Sequence, residues 1–375
     1  MRGAGPVVAV SGYYGFGNLG DEAVLYSMLQ ALRASLPGAR FVVLSGDPAG
    51  TRAAFGVEAV NRWSPAAVCR ALAACDVFLS GGGSLLQDVT GLKSLLYYAG
   101  VIWLAGALRK PVVFYAQGIG PVTTEAGRRL VRRVAERARL ITVRDGESAA
   151  ELRHLGVKRP PVVVTADPVL GLDPAAVGGE KGEAVLAEVG AAGRPVVGVA
   201  LREWPGFGAE QEEALARVLD GLCRRGLAVV FIPLHFPADL GVSRRVAARM
   251  AEPAAVVSRA LSVEEALSLF GCLHLCLGMR LHALVFAAVF NVPLVGLSYD
   301  PKVERFLARI NWRPPLPAGA FDFAALSREV EEVLAGHEAA REKLRLAVEP
   351  LKAQARLTPR LVRDLLTSRA CPRGA

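Results

Sequence analysis

The sequence predicts an α/β protein of two Rossmann-like domains facing across a shared cleft, and three observations predict it. Short β-branched runs alternate with longer helical patterns from the first residues on, the mark of repeated βαβ units and a parallel sheet. Those runs are nearly continuously apolar, as strands covered by helices on both faces must be. The rhythm loosens once, near residues 172–194, and then restarts. A chain of 375 residues is long enough for two such domains, each with its own core.

Taken in order, strands are predicted over residues 6–11, 40–44, 76–80, 111–116, 140–143 and 161–165, with helices over 23–36 and 123–139 among those between them. These make a first domain of residues 1–172. An Asp-Pro, a Gly-Gly and a Gly-Arg-Pro then mark a linker over 173–194, with a short helical piece inside it. Strands at 195–201, 227–232, 273–277 and 292–297, with a weaker one at 254–257, build a second domain of residues 195–322. The remainder, 323–375, reads as amphipathic helices broken at Pro350 and Pro359 and packing back on the domains.

Composition narrows the function classes. Charged residues make up 21% and hydrophobic residues 52%, which is globular composition. The net charge of +9 suits nucleic acid, an anionic membrane or phosphorylated small molecules. No zinc-finger spacing, RNP pattern or helix-turn-helix signature supports a nucleic-acid partner, so none is expected. The six cysteines, Cys69, Cys75, Cys223, Cys272, Cys276 and Cys371, include no C-x-x-C pair, which fits a reducing setting. From Met1 the chain runs without a signal-peptide pattern into the first strand, so a cytoplasmic location is expected. Two apolar stretches, residues 94–108 and 283–297, fall short of the roughly 20 residues that span a bilayer.

Open parallel sheets bind ligands beyond the carboxyl ends of their strands, so the loops there carry the search. The first strand leads into Gly12-Tyr13-Tyr14-Gly15-Phe16-Gly17-Asn18-Leu19-Gly20-Asp21-Glu22, where a helix begins. Asn18 and Asp21 are candidates for substrate contact and equally for capping that helix. The stretch fits G-x-G-x-x-G poorly, which disfavours a dinucleotide. Gly81-Gly82-Gly83-Ser84 follows the third strand and Gln117-Gly118-Ile119-Gly120 the fourth, and together these loops predict one half of a binding cleft. Arg144 ends the fifth strand, with a planar fork suited to phosphate or carboxylate, or to an ion pair with Asp145.

The most informative segment is Gly278-Met279-Arg280-Leu281-His282, where a strand gives way to an apolar helix. The helix start favours an anion, and Arg280 reinforces that preference. The same field opposes an imidazolium, so a bound anion should make His282 easier to protonate, as a proton shuttle requires. Lys302 lies just beyond the next strand, within reach of a phosphate or of solvent. Cys272, His274 and Cys276 alternate, but on a strand the outer pair would stand ~13 Å apart, too far for one zinc. They read as the buried face of a strand, and no metal site is expected. Arg128, Arg129, Arg132, Arg133 and Arg137 give their helix a basic face, solvated or set against anionic lipid.

The glycine-rich run from Gly12 to Glu22, the loop at Gly81, Val143-Arg144-Asp145, Gly278-Met279-Arg280-Leu281-His282 and Lys302 together resemble the polysaccharide pyruvyltransferase family, in the right order from about residue 7 to about 310. The likeness is to the bacterial type of secondary cell-wall polysaccharide synthesis, which serves S-layer anchoring. The resemblance implies a GT-B-like fold and transfer of a pyruvyl group from phosphoenolpyruvate to a sugar, giving a cyclic ketal and phosphate. It implies that Arg144, Arg280 and Lys302 bind the donor, that His282 acts as acid/base with Arg280 beside it, and that Asn18 and Asp21 stand on the acceptor side in the opposite domain. It further implies no cofactor, a lipid-linked, N-acetylmannosamine-containing acceptor, and a protein peripheral to the inner membrane face through the Arg128 to Arg137 helix. A nucleotide-sugar glycosyltransferase and a non-catalytic phosphometabolite-binding protein are the competing readings.

Overall fold

The computed structural model describes residues 5–89 and 91–370; Met1 and Cys371, which enter the readings above, lie outside them. The chain divides into two compact units. Described residues up to Phe16, Asp21–Gly171 and those from Leu351 on form the first, and Gly17–Gly20 with Leu172–Pro350 the second.

The first unit holds β1 (Val7–Ser11), α1 (Leu19–Ser35, whose first two residues belong to the second unit), β2 (Arg40–Ser45), α2 (Pro48–Phe55), β3 (Glu58–Asn61), α3 (Pro65–Ala74) and β4 (Val77–Ser80). It continues with β5 (Gly83–Leu86), α4 (Leu92–Ala107), β6 (Val112–Ile119), α5 (Glu125–Ala135), β7 (Leu140–Val143), α6 (Gly146–His154) and β8 (Val162–Val164). Its parallel sheet has the order β3-β2-β1-β4-β6-β7-β8, with β5 paired to β6. One side of that sheet buries a core from α3, α4, α5 and α6, among them Leu72, Leu95, Ile102, Val131 and Leu152.

The second unit runs through α7 (Pro174–Val177), α8 (Glu180–Glu188), β9 (Val196–Ala200), α9 (Ala209–Arg224), β10 (Ala228–Phe231), α10 (Leu240–Arg249) and β11 (Ala255–Val256). Then come α11 (Val263–Gly271), β12 (Leu275–Gly278), α12 (Leu281–Val289), β13 (Leu294–Ser298), α13 (Pro301–Arg309), β14 (Leu316–Pro317) and α14 (Phe323–Ala335). Its sheet, also parallel, has the order β11-β10-β9-β12-β13-β14. Its core gathers Leu215, Leu219, Phe231, Leu277 and Val330. Two helices end the chain, α15 (His337–Ala355) and α16 (Leu357–Ala370). In α16 the buried Thr358 sets its hydroxyl 3.1 Å from that of Thr142 and 3.4 Å from that of Thr165, holding this helix to the first sheet.

Several elements depart from the periodicity-based expectations, each for a local reason. β3, β5 and β14 are short strands without an apolar run: β5 starts inside the Gly-Gly-Gly-Ser stretch, and β14 is a two-residue edge. β6 runs on through Gln117 and Gly118 past a bulge, where Ala116 takes φ 45° and donates its N–H to the Thr142 hydroxyl at 2.7 Å. Pro350 lies inside α15, the helices part at Arg356, and Pro359 sits in the first turn of α16, where its missing N–H costs no helical bond.

The segment expected as a linker is helical and packed within the second unit. In α8 the Gly182 N–H donates to the Ser268 hydroxyl at 2.7 Å, and Arg259 grips Glu188 with both ends of its guanidinium. A Cβ on Gly182 would come 2.5 Å from the Ser268 carbonyl, backbone that cannot yield cheaply. Gly182→Ala is therefore expected to destabilise the protein by about 2–3 kcal/mol, read as a fall in the urea midpoint with an unchanged slope.

Candidate active site

Each sheet reverses its winding once, between β1 and β4 in the first unit and between β9 and β12 in the second. Such a reversal parts the two flanking loops beyond the strand ends and leaves a crevice for ligand.

In the second unit the register brings a set of cations to that place. Gly278 of β12 pairs with Ala200 of β9 on one side and with Gly296 of β13 on the other. Arg202 and Arg280 therefore each lie two residues past paired positions, and Tyr299 three past the third. Arg202 sets its guanidinium 4.4 Å from the Tyr299 ring centre, and the Lys302 ammonium lies 5.5 Å from the same ring. Two cations thus lie against one aromatic ring, each attracted by the ring quadrupole. Lys302 also pairs with Asp300 at 3.0 Å, and Asp300 caps α13 by accepting the Lys302 N–H at 3.0 Å.

Arg280 is aimed by a buried carboxylate. Asp239, fully buried, accepts from the Arg280 Nε–H at 2.9 Å and pairs with its second fork nitrogen, while its Oδ2 also accepts the His235 N–H at 2.9 Å. Arg280 occupies the N-cap of α12, and His282 is the second residue of that helix. The imidazole packs over Gly20: a Cβ there would fall 2.3 Å from His282 Nδ1, so only glycine admits the ring. Gly20 is brought to it by a backbone bridge in which Asn18 pairs antiparallel with His235 and the Leu19 N–H donates to the Leu234 carbonyl at 2.8 Å.

In the first unit, glycines of the crevice make room for the protein's own side chains. Tyr14, fully buried, runs beneath Gly12 and Gly81, where added Cβ atoms would lie 2.2 and 2.3 Å from its ring and hydroxyl. Burial pushes that phenol well above its ordinary pKa, so Tyr14 stays neutral. Gly118 likewise makes way for Arg144, whose Cζ would be 2.9 Å from a Cβ. Arg144 is buried and donates to the Ser84 hydroxyl at 3.1 Å and to Asp145 at 3.4 Å, with Asp167 at 3.9 Å. The ion pair weighed for Arg144 from sequence is thus present. The loop after β1 is tied down by Glu22, which accepts the Gly15 N–H at 2.7 Å. Burial raises the Glu22 carboxyl to about 7, with Asp21 and Asp47 adding to the rise against the Gly15 and Phe16 N–H donors.

Of the residues singled out from sequence, the second unit contains Arg280, His282, Lys302 and Asn18, and the first contains Arg144 and Asp21. Asn18, expected in the domain opposite Arg280 and His282, is thus grouped with them in the second unit, while Asp21 and Arg144 share the first. Its side chain accepts the Gly20 N–H at 3.1 Å, the capping role weighed for it. Asp21 sits against Gly83, its Oδ1 2.9 Å from where a Cβ would be. Sequence reasoning passed over Arg202, Tyr299 and Asp239 in the second unit. In the first it passed over Arg62, buried among Phe16, Trp63, Tyr97 and Tyr98 and donating to the Gly12 carbonyl at 2.8 Å. Arg202 was findable by the criterion that selected Arg144, a cation directly after a strand. Asp239 was not, because only tertiary structure pairs it with Arg280.

The Cys272, His274 and Cys276 series is not one strand face. Cys272 caps α11, His274 stacks on His337 with ring centres 3.9 Å apart, and only Cys276 lies in β12. Among the described residues no group of three or more His, Cys, Asp or Glu side chains is placed to hold a metal.

The sequence matches the family model described as polysaccharide pyruvyl transferase over residues 18–301. No curated protein matches the chain. Among solved structures, Anabaena HepE in complex with UDP-glucose is 13% identical, covers 97% of this chain and 100% of its own, and superposes with a TM-score of 0.63. UDP-GlcNAc 2-epimerase from Neisseria meningitidis bound to UDP-GlcNAc is 12% identical over 96% of this chain and 99% of that one, with a TM-score of 0.66. A glycosyltransferase from Rickettsia africae is 10% identical over 96% and 98%, with a TM-score of 0.62. At these identities the likeness is one of fold, the two-domain GT-B-like architecture.

Two outcomes test the geometry. Asp239→Asn strips Arg280 of its anionic partner and is expected to cost about 3–5 kcal/mol, measured by chemical denaturation. Glu22 binds its proton more tightly folded than unfolded, so its contribution is complete below about pH 4.5 and is lost as pH rises through about 7. Between those values unfolding free energy should fall by on the order of 3 kcal/mol on its account, and the Glu22→Gln variant should lack that fall in a denaturation series against pH.

Proposed function

From the premise that the chain belongs to the polysaccharide pyruvyl transferase family, and is a transferase of that kind, we propose that it moves a pyruvyl group from phosphoenolpyruvate to a sugar, closing a cyclic ketal and releasing phosphate. The observation that carries this reading is the gathering of Arg202, Arg280, Lys302 and His282 beyond the carboxyl edge of β9, β12 and β13. Phosphoenolpyruvate bears a carboxylate and a phosphate on a three-carbon frame, and both need cationic partners of this sort. Arg280, oriented by Asp239 through its Nε and one terminal nitrogen, keeps its remaining N–H groups for the donor, and Lys302 adds an ammonium for the phosphate.

His282 is proposed to protonate the donor's methylene carbon. A sugar hydroxyl then adds to the electrophilic carbon and loses its proton, and a second hydroxyl displaces phosphate to close the ring. The first hydroxyl proton restores His282, and the second leaves with the phosphate. Arg144 is assigned to the donor, and Asn18 and Asp21 to the acceptor, on the family resemblance. The acceptor proposed on the same ground is a lipid-linked cell-wall precursor containing N-acetylmannosamine, of the kind that serves S-layer anchoring.

A nucleotide-sugar glycosyltransferase is the second reading, favoured by a fold shared with proteins solved with UDP-glucose and UDP-GlcNAc. Donor choice separates the two. Release of phosphate from phosphoenolpyruvate is expected only when a sugar acceptor is present, and His282→Ala is expected to lower kcat by about 10³-fold while calorimetric donor affinity stays within a few-fold. Turnover of a UDP-sugar with none of phosphoenolpyruvate would overturn the proposal. Phosphoenolpyruvate bound but never altered with any sugar lipid would make the protein a carrier.

A further inference from the structure

The outer face of α4 leaves apolar side chains in water beside a row of arginines. Leu92, Leu96 and Trp103 are 48%, 53% and 49% exposed, while Leu95, Tyr98, Ile102 and Ala105 of the same helix are buried in the core. At 100° per residue the three exposed side chains fall within about 40° of one line, over roughly 16 Å of helix. They form a stripe, not scattered exposures. Large apolar groups aligned in this way on a surface mark a place of contact.

The neighbouring helix supplies the charge. Arg129, Arg132 and Arg133 of α5 are exposed, as is Arg137 two residues past its end, whose guanidinium lies 5.8 Å from the Trp103 ring centre and so links the basic row to the apolar stripe. The acidic groups of α5 and its C-cap are already engaged: Glu125 pairs with Arg129 at 3.0 Å, and Glu136 accepts the Lys158 N–H at 2.6 Å. Arg128, counted with the basic face from sequence, instead donates to the Val122 carbonyl at 3.2 Å and meets His154 at 3.4 Å. Among the described residues no helix is long and apolar enough to cross a membrane, so a membrane contact here would lie along the surface.

We propose that the α4 stripe of Leu92, Leu96 and Trp103, with Arg137 beside it and the exposed arginines of α5, docks the protein on the surface of an anionic bilayer. Apolar side chains enter the boundary between headgroups and acyl chains, tryptophan favours that depth, and arginines meet lipid phosphates. Charge complementarity selects this occupant over a second copy of the chain, which would bring one arginine row against another.

The inference goes beyond the transferase reading and is tested without it. Vesicles of phosphatidylglycerol and phosphatidylcholine, containing no glycolipid, are sedimented with the full chain. Partitioning is expected to require phosphatidylglycerol and to weaken with salt. It should fall at least ten-fold in the Leu92→Gln, Leu96→Gln, Trp103→Gln variant and lose its salt-sensitive part in the Arg129→Gln, Arg132→Gln, Arg133→Gln variant. Quenching of tryptophan emission by brominated lipid in the unaltered chain, lost in Trp103→Phe, gives a second reading that needs no multiple variant. No binding to anionic vesicles, unchanged partitioning of the stripe variant when its thermal melt matches the parent, quenching that persists in Trp103→Phe, or a dimer that the stripe variant dissolves would each overturn the proposal.

Discussion

The carboxylate of Asp239, shut away from water, cannot stand alone, and its need for a cation organises the second unit's crevice. Arg280 meets that need with a two-pronged contact, and the backbone N–H of His235 meets the rest. With its guanidinium pinned, Arg280 enters α12 at a set angle, and His282, two residues on, inherits its position. Asn18 and Leu19 attach to His235 and Leu234 on the same stretch of chain, so Gly20 is carried to the imidazole by the loop that also presents Asp239. One buried charge thus ties together segments from both ends of the sequence.

The first unit solves a different packing problem with similar economy of residue types. Its glycine-rich turns are close-packed places where Tyr14, Val24 and Arg144 cross beneath or beside the backbone. A phenol so deeply buried contributes as a neutral wedge, while Arg144 is paired with Asp145 and Asp167. Arg62, enclosed by four aromatic rings, anchors the Gly12 carbonyl from below. What the sequence presents as a loop open to ligand is in large part a loop made rigid by its own neighbours.

Fold and chemistry separate cleanly in this protein. The three described structures superpose over nearly the whole chain at identities of 13% or less, and two of them were solved with UDP-sugars. The architecture supplies two crevices beyond two sheets and leaves the reaction to the side chains placed there. The family match, spanning residues 18–301, covers the loop that carries Asn18 and the strand ends that carry Arg144, Arg280 and Tyr299.

By itself the sequence determined the alternation of strands and helices, the doubling of the domain, and the place of Arg144, Arg280 and Lys302 just beyond strand ends, because periodicity and cations after strands are local properties. β3 and β14 escaped because a short edge strand buries too little to leave an apolar run, and β5 because Gly83 and Ser84 interrupt its own. Tertiary structure alone decided that residues 173–194 pack into the second unit, that Asn18 joins that unit, and that Asp239 is the partner of Arg280 across 41 positions. Pairing of that kind depends on which groups lose water together, and desolvation is settled only when distant segments close on one another.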